Sequence, residues 1–249
     1  MVKTLSEIEA IRESCKIVAC VLSYIEKFLN PGVTTLELDE IIEDYIKSKD
    51  ATPAFKGYKV HKNVFPANSC ISINEEVVHG IPGERKLVEG DIVSIDVGVK
   101  KNGYYGDGAK TYAIGYIGPQ KNKLMRVTEE SLYIGLDNAK DGNFINDVSI
   151  AIQQHVESAG FSVVRDLVGH GIGKSLHEDP PIPNYYHNGY RNKFKEGMTV
   201  AIEPMVNYGT YKVKVLNDNW TYVTADGKPS AHFEHSVLIT KGKPEILTL

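Results

Sequence analysis

Two aspartates near the middle of the chain could share one face of a β-hairpin. The stretch between residues 94 and 108 is rich in strand-forming residues and contains Asn102 and Gly103 at its centre. An Asn-Gly pair in this setting favours a two-residue type I′ turn. With that turn Asp107 lies opposite Gly98, which shares a strand face with Asp96. The two carboxylates are then diagonal neighbours about 7–8 Å apart.

Carboxylates that point into one space repel each other unless positive charge lies between them. The spacing therefore predicts a site for one or two divalent cations. Two alternatives stay open. Both aspartates could be solvated strand residues, and a three-residue turn would shift the register by one and put them on opposite faces.

Three further residues have the chemistry of metal ligands. Glu203 and Glu234 each lie at an apolar strand-like run, where an unpaired carboxylate is costly to bury. His170 lies between two glycines, which leave space around its ring, although a single histidine of this kind is more often structural. One imidazole with four carboxylates suits Mn²⁺, Fe²⁺, Co²⁺ or Zn²⁺ and argues against a structural thiolate zinc site.

The composition predicts an ordinary globular protein. The chain has 249 residues, 42% of them hydrophobic and 24% charged, a length that suits one large domain or two small ones. A net charge of −4 argues against a general nucleic-acid binder. No apolar run approaches the roughly 20 residues that span a bilayer, and the first residues do not resemble a signal peptide.

The three cysteines indicate a reducing compartment. Cys15, Cys20 and Cys70 show no ligand-like Cys-x-x-Cys spacing and are odd in number. Cys15 and Cys20 lie in a predicted helix, where we expect both to pack as small apolar residues.

Four helices are predicted to support the site. A capping box at Thr4-Leu-Ser-Glu7 begins the first helix, whose apolar stripe runs to residue 29 before Pro31. A second helix begins near Thr34 or Thr35. Helical periodicity returns over residues 122–140 and 145–159. Strands are predicted at 69–73, on both sides of the Asn-Gly turn between 90 and 117, and at 162–168, 199–206, 211–215, 220–224 and 232–239; residues 51–66 read as a loop.

A weak internal repeat links the two halves of the chain. Residues 86–96 match residues 193–203, each ending in an acid, and residues 32–48 match residues 142–158. A duplicated α+β unit would put Asp96 and Glu203 in related positions. We therefore predict one domain over residues 1–249, with halves of about 1–120 and 121–249; the alternative is coincidence between two similar helix-strand patterns.

Five strings carry a resemblance to a known family. They are Asn74-Glu-Glu-Val-Val-His-Gly-Ile-Pro82, Asp91-Ile-Val-Ser-Ile-Asp96, Gly169-His-Gly-Ile-Gly173, Ile202-Glu-Pro-Met205 and Phe233-Glu-His235. In this order they closely resemble methionine aminopeptidases of the short, bacterial type I class, over essentially the whole chain. The resemblance implies the pita-bread (creatinase/aminopeptidase) fold, an α+β fold with two pseudo-symmetric halves around a curved antiparallel sheet and a dinuclear metal site.

The resemblance also implies an activity: metal-dependent removal of the N-terminal methionine from nascent proteins when the second residue is small, by attack of metal-activated water on the first peptide bond. By the same resemblance Asp96 holds one metal through both oxygens, while Asp107 and Glu234 bridge the two metals. His170 and Glu203 complete the second metal.

Catalytic and substrate-binding roles carry over in the same way. Glu203 transfers the proton from the attacking water to the leaving amine, His79 contacts the scissile amide nitrogen, and His177 contacts the substrate carbonyl oxygen. An apolar pocket for the methionine side chain is implied at Cys70, Phe65, Tyr58, Leu176 and Trp220. Some relatives also hold a monovalent cation near the backbone of Asn74, Glu76 and Ser230.

The expected partners are nascent polypeptide N-termini and, through them, the ribosome. No specific nucleic acid and no membrane are expected. The family's usual state is a cytoplasmic monomer.

The chain departs from the family pattern at two points that concern the pocket. Residues 57–66 form a segment that is longer than usual by about four residues, and Leu176 replaces a usual aromatic residue. Two alternative functions were weighed: a proline-specific peptidase of the same fold, and a catalytically inactive scaffold that binds protein or RNA. The short chain argues against the first alternative, and the complete set of five donors argues against the second.

Overall fold

The computed structural model describes residues 1–249. The four α-helices are α1 (Leu5–Ile25), α2 (Thr35–Lys47), α3 (Gly118–Asn138) and α4 (Ile145–Ser158). The seventeen strands are β1 (Thr52–Pro53), β2 (Lys59–Val60), β3 (Asn63–Val64), β4 (Cys70–Ile73), β5 (Glu76–Val78), β6 (Ile92–Lys101), β7 (Tyr104–Ala113), β8 (Ser162–Val163), β9 (Gly169–Gly171), β10 (Glu178–Ile182), β11 (Thr199–Ile202), β12 (Met205–Asn207), β13 (Val213–Val215), β14 (Tyr222–Thr224), β15 (Ser230–His232), β16 (Glu234–Leu238) and β17 (Glu245–Ile246).

Local sequence signals set the beginnings of the first two helices. Thr4 caps α1 and Thr34 caps α2, each in a reciprocal capping box with a glutamate three residues later, which satisfies otherwise unpaired backbone N–H groups. The first helix ends earlier than predicted, at Ile25, because its last turn tightens into a 3₁₀ helix over Glu26–Phe28. Helices α3 and α4 confirm the two later predictions, with α3 starting four residues earlier than predicted.

The central hairpin has the predicted register. Asn102 and Gly103 both have positive φ, at 52° and 82°, as a type I′ turn requires. Gly98 pairs with Asp107 in the ladder between β6 and β7. The three-residue turn is therefore excluded, and the mixture of helices with antiparallel strands confirms the α+β class.

One nine-stranded sheet forms the middle of the molecule. Its main path runs β1-β6-β7-β16-β11-β9-β10, with β4 on β6 and β17 on β16. Alternate residues on one face of this sheet pack on the helices. Ile95 and Val97 join the core beneath α1 and α2, whereas Val200 and Ile202 join the core beneath α3 and α4. The opposite face is thereby left free for polar residues.

Backbone hydrogen bonds recur in the two matching parts of the sequence. The Gly32 N–H donates to the Leu87 carbonyl at 2.8 Å, and at the matching positions the Gly142 N–H donates to the Phe194 carbonyl at 3.1 Å. Isolated bridges also occur at matching places, between Thr34 and Lys86 in one part and between residues 144 and 193 in the other. These contacts support the duplicated-unit hypothesis; the division at about residue 120 stays a prediction.

Several strand predictions are corrected by the structure. The predicted strand 199–206 is two strands, because Pro204 lacks an N–H and interrupts the ladder after Glu203. Of the predicted strand 162–168 only Ser162–Val163 is formed. The predicted loop 51–66 contains three short strands, among them the β2-β3 hairpin. Strands β5, β9, β10 and β17 lie outside the predicted strands.

The three cysteines are free and differ in exposure. Cys15 is buried on the packed face of α1, and Cys70 is buried at the start of β4. The expectation that Cys20 packs inside was wrong: its side chain is exposed, since position 20 lies on the outer side of α1, between the stripe positions Val18 and Leu22. None of the four helices combines the length and the apolar character that crossing a bilayer requires.

Candidate metal centre

The five predicted donors lie on five adjacent strands of the central sheet. In sheet order they are Asp96 in β6, Asp107 in β7, Glu234 in β16, Glu203 directly after β11, and His170 in β9. Residues that are distant along the chain thus become neighbours across the sheet.

The strand register puts the three acids of the middle strands on the same face. Ala109 pairs with Asp96 on one side and with Glu234 on the other. Asp107 lies two residues from Ala109 and therefore shares its face. Because Ala109 and Gly98 have little or no side chain, the space between the carboxylates stays open. The nearest donor oxygens of Asp96, Asp107 and Glu234 lie within 4.8 Å of one another.

His170 and Glu203 complete the cluster from the other side. His170 pairs with Ala201, two residues before Glu203. The His170 Nε2 atom lies 3.6 Å from Glu203 Oε1 and 3.8 Å from Asp107 Oδ2. The donor atoms of His170, Glu203 and Glu234 form a second group within 4.8 Å, and those of Asp107, His170 and His177 form a third.

Four acids in this arrangement resist ionisation when no cation is present. Burial raises the pKa of Asp96 to about 7 and that of Glu203 to about 8. Burial, followed by the charges of the neighbouring acids, raises the pKa values of Asp107 and Glu234 well above their ordinary values. The same burial lowers the pKa of His170 to about 3, which keeps its ring neutral and able to bind a metal.

Unsatisfied oxygens indicate that a cation fits this cluster. Asp96 Oδ1 and Glu234 Oε1 are buried without a hydrogen-bond partner, which is costly unless another group binds them. The His170 Nδ1–H donates to the Gly171 carbonyl oxygen at 2.9 Å, and this bond leaves Nε2 free as a ligand. The five residues would therefore hold divalent metal as a hard, oxygen-rich set with one imidazole.

An apolar cavity of about 560 Å³ opens onto the donors. Its lining includes all the predicted pocket and catalytic residues: Tyr58, Phe65, Cys70, His79, Leu176, His177, Glu203 and Trp220. The Phe65 and Trp220 rings meet edge to face with centroids 5.2 Å apart. The cavity thus has an end lined by the five donors and a wall lined by apolar side chains.

The two predicted substrate-contacting histidines are held by aromatic neighbours. The Tyr58 hydroxyl and His177 Nδ1 are hydrogen-bonded at 2.5 Å, and the His177 ring lies 4.3 Å from the His170 ring. His79 packs edge to face on Tyr222 at 5.7 Å. Burial lowers the pKa of His79 to about 4, so its ring is neutral. The roles of both histidines remain predictions.

The sequence reasoning missed His232 and Val60. His232 is buried, and its Nε2 atom lies 3.6 Å from Glu203 Oε2. Its position two residues before Glu234 was the signal that could have revealed it, since alternate residues share a face. Val60 lines the cavity from the β2-β3 hairpin, and no local pattern in the chain indicates that this hairpin folds over the mouth.

Comparisons with known proteins identify relatives of the whole chain. Residues 9–241 match the family described as metallopeptidase family M24. The chain is 52% identical to methionine aminopeptidase 1 of Bacillus subtilis, over 99% of this chain and 98% of that protein. It is 51% identical to a methionine aminopeptidase of Clostridium acetobutylicum, over 100% of this chain and 98% of that protein.

Solved structures give the same result. A methionine aminopeptidase from Thermotoga maritima superimposes with a TM-score of 0.95 and 46% identity, covering 100% of this chain and 98% of its own. A prolidase from Pyrococcus furiosus, at 23% identity and a TM-score of 0.80, covers 100% of this chain and 65% of its own, and it shares the fold. The predicted pita-bread fold is confirmed. Both the motifs and the overall similarity lead to one assignment: the chain belongs to metallopeptidase family M24.

Proposed function

We propose that this chain is a methionine aminopeptidase that removes the N-terminal methionine from nascent proteins whose second residue is small. The observation that carries this proposal is the convergence of five metal donors at one end of an apolar cavity that His79 and His177 also line. Full-length similarity to methionine aminopeptidases supports the reaction and the substrate.

The donors divide by position. In this proposal Asp96 would hold one metal, His170 and Glu203 would hold the other, and Asp107 and Glu234 would serve both. The two donor groups that share Glu234 support this division. When bound, divalent cations supply positive charge that polarises the substrate carbonyl group and lowers the pKa of water.

Glu203 is the proposed proton carrier. Its pKa is raised to about 8 by burial when no cation is present, and its side chain reaches the cavity. A carboxylate in this place accepts a proton from the attacking water and delivers it to the leaving amine. Bound cations would bring its pKa down, so that it accepts the proton first.

Two neutral histidines orient the scissile bond in this proposal. His79 contacts the amide nitrogen, and His177 contacts the carbonyl oxygen. The hydrogen bond from Tyr58 to His177 Nδ1 supports the second role, because Tyr58 as donor leaves the Nε2–H free to donate to that oxygen.

The cavity wall explains the preference for methionine. Phe65, Cys70 and Leu176 are buried side chains in one cluster, with Tyr58 and Trp220 packed against it. A thiol and aromatic edges give the soft, polarisable surroundings that suit a thioether.

The metal is proposed to be Co, Mn, Fe or Zn, all compatible with one imidazole and four carboxylates. We also propose a monovalent cation near the backbone of Asn74, Glu76 and Ser230. In this region the Lys121 ammonium donates to Asn74 Oδ1 at 2.8 Å, and the Ser230 N–H donates to the Asn74 carbonyl at 2.8 Å. The Asn74 carbonyl oxygen therefore already accepts a hydrogen bond, and the Lys121 ammonium adds positive charge nearby, so we expect weak cation affinity there.

For its surroundings we propose a cytoplasmic monomer that meets nascent chains at the ribosome. Two observations support this proposal. All three cysteines are free thiols, and the chain is similar to methionine aminopeptidases, which act on nascent chains.

The deciding experiment uses metal-stripped protein. Co²⁺, Mn²⁺, Fe²⁺ or Zn²⁺ is restored one at a time, and release of methionine from Met-Ala-Ser is followed. Release that requires added metal and falls sharply with Met-Leu-Ser supports the proposal. Absence of release with every metal, or equal release from Leu-Ala-Ser, contradicts it.

A further inference from the structure

A buried histidine next to the candidate metal centre, His232, has no assigned role. The side chain of His232 is 1% exposed. Neither of its ring nitrogens has a hydrogen-bond partner. A buried polar group in this condition is rare and destabilising unless it serves a neighbouring group.

The backbone holds His232 firmly in position. The Thr111 hydroxyl accepts a hydrogen bond from the His232 N–H at 2.9 Å and donates one to the His232 carbonyl at 2.7 Å. His232 also pairs with Met205 between β15 and β12. Thr111 is part of β7, the strand that carries Asp107, so the backbone of His232 is fixed relative to that strand.

The ring points at one oxygen of Glu203. His232 Nε2 lies 3.6 Å from Glu203 Oε2, while His170 Nε2 lies 3.6 Å from Glu203 Oε1. Each oxygen of this carboxylate thus faces a different imidazole. His232 belongs to none of the three donor groups within 4.8 Å, which favours a hydrogen-bonding role over direct metal ligation.

We propose that His232 is a positioning residue: its Nε2–H donates to Glu203 Oε2 and directs Oε1 toward the metal centre. A small movement of either side chain brings the two atoms from 3.6 Å to hydrogen-bond distance. Outer hydrogen bonds of this kind fix the orientation of a metal-binding carboxylate. The expected effect on kcat rests on the proposed function. The expected effect on metal affinity does not depend on which substrate the protein uses.

The test compares two replacements of His232 with wild type. His232→Leu fills the space without a donor, whereas His232→Gln keeps an N–H donor. The matched control is His155→Leu on α4, where the ring contacts Glu130 on the protein surface. Co²⁺ alone is titrated into metal-stripped protein by calorimetry, and the absorption spectrum of bound Co²⁺ is recorded. Turnover of Met-Ala-Ser gives kcat and KM separately.

His232→Leu is expected to weaken Co²⁺ binding or lower kcat by about 10–100-fold, with an altered Co²⁺ spectrum, unchanged stoichiometry and little change in KM. His232→Gln should recover most of the loss, and His155→Leu should match wild type. Unfolding curves of the metal-free proteins show whether a variant loses Co²⁺ affinity or kcat only because its fold is less stable.

Three results would overturn the proposal. One is wild-type Co²⁺ affinity, spectrum and kcat in His232→Leu. Another is a glutamine variant as impaired as the leucine variant. The third is the loss of one bound Co²⁺ from both variants, which would make His232 a ligand. If wild type releases no methionine from Met-Ala-Ser, the proposed function fails, whereas the Co²⁺ measurements still decide the role of His232.

Discussion

Asp107 occupies the middle of the donor cluster. It belongs to two of the three donor groups, and burial together with the neighbouring acids raises its pKa well above the ordinary value. A residue in this position serves both sides of a paired-cation site, which makes it more sensitive to replacement than an acid at the edge.

Replacing Asp107 with Asn should abolish turnover and leave the fold largely intact. The amide keeps the volume but loses the charge that two cations share, so at least one ion should be lost. Metal content by elemental analysis and methionine release from Met-Ala-Ser check this. Asp137→Asn, at an exposed aspartate on α3, is the control. Full activity with unchanged metal content in Asp107→Asn would contradict the bridging role.

His79→Ala should reduce turnover while sparing the metal. His79 lines the cavity but belongs to none of the donor groups. Loss of one positioned hydrogen-bonding group in an active site typically costs about 10²–10³-fold in turnover. Rate and bound metal are measured on the same sample. Reduced metal content would show that His79 is a metal ligand and not a substrate-contacting residue.

Among single residues, the sequence predicts those that carry a charge in an apolar strand or that belong to a recognisable motif. The five donors could be named because buried acids in apolar strands require a partner, and the structure brings them together. His232 could not be named because one histidine on an alternating strand has no distinct pattern. Its proposed role depends on contact with Glu203, which is distant along the chain. Cys20 was misassigned because two cysteines near one apolar stripe were given the same environment.

Among the elements, the β6-β7 hairpin contributes most to the site. Its type I′ turn fixes the register, and the register alone puts Asp96 and Asp107 on the same face. The β2-β3 hairpin is different. Its turn contains His61 with φ of 54°, and nothing in its local pattern predicts that it covers a cavity. Hairpins that pack through a few side chains at their base have no periodic signal in the sequence.

Shortening Val60 should widen the range of second residues that the enzyme accepts. Val60 lines the cavity, whereas Val64 on the partner strand does not. We expect Val60→Ala to raise the rate on Met-Leu-Ser relative to Met-Ala-Ser by about tenfold, the usual effect of removing methylene-sized bulk from a pocket. The ratio of kcat/KM values for the two peptides is the measurement.

The control for this prediction is Val64→Ala. Both valines are partly exposed, at 42% and 49%, and both are in the same two-strand hairpin, so their effects on stability should be alike. An equal change in the peptide ratio for both variants would mean that hairpin mobility, rather than the side chain at the cavity, limits the second residue.

For the whole molecule, the candidate metal centre is also a source of instability. Four acids are held close together with raised pKa values, whereas in the unfolded chain they titrate at ordinary values. The metal-free folded state therefore binds more protons than the unfolded state between about pH 7 and pH 8, above the ordinary pKa of histidine and up to the pKa of Glu203. In that window the free energy of unfolding falls as pH rises. Below about pH 6.5 the buried histidines, whose pKa values are lowered, bind fewer protons than in the unfolded chain and oppose this difference.

Metal removal should accordingly destabilise the protein more near pH 8 than near pH 7. Urea unfolding of metal-stripped and Co²⁺-loaded protein at both pH values measures the difference. Asp96→Asn, which removes one of the repelling charges, should flatten the pH dependence of the metal-free protein. A metal-free protein that is more stable near pH 8 than near pH 7 would contradict the assigned direction of the pKa shifts of the acids.

Local sequence patterns do not predict the order of the strands in the central sheet. Strands β7 and β16 are neighbours although more than a hundred residues separate them, and no local signal specifies that pairing. The internal repeat gave partial information, because it related Asp96 to Glu203 before any pairing was known. The resemblance to a family supplied the remainder, and the structure agrees with it.

The difference among the three thiols has a practical consequence for chemical labelling. Burial raises the pKa of Cys15 to about 12 and that of Cys70 well above its ordinary value, and a protonated thiol reacts poorly with electrophiles. Cys20 is exposed on the outer side of α1. A maleimide dye should therefore attach at Cys20 alone in the native enzyme, giving a fluorescent reporter on the helical face with no engineered cysteine.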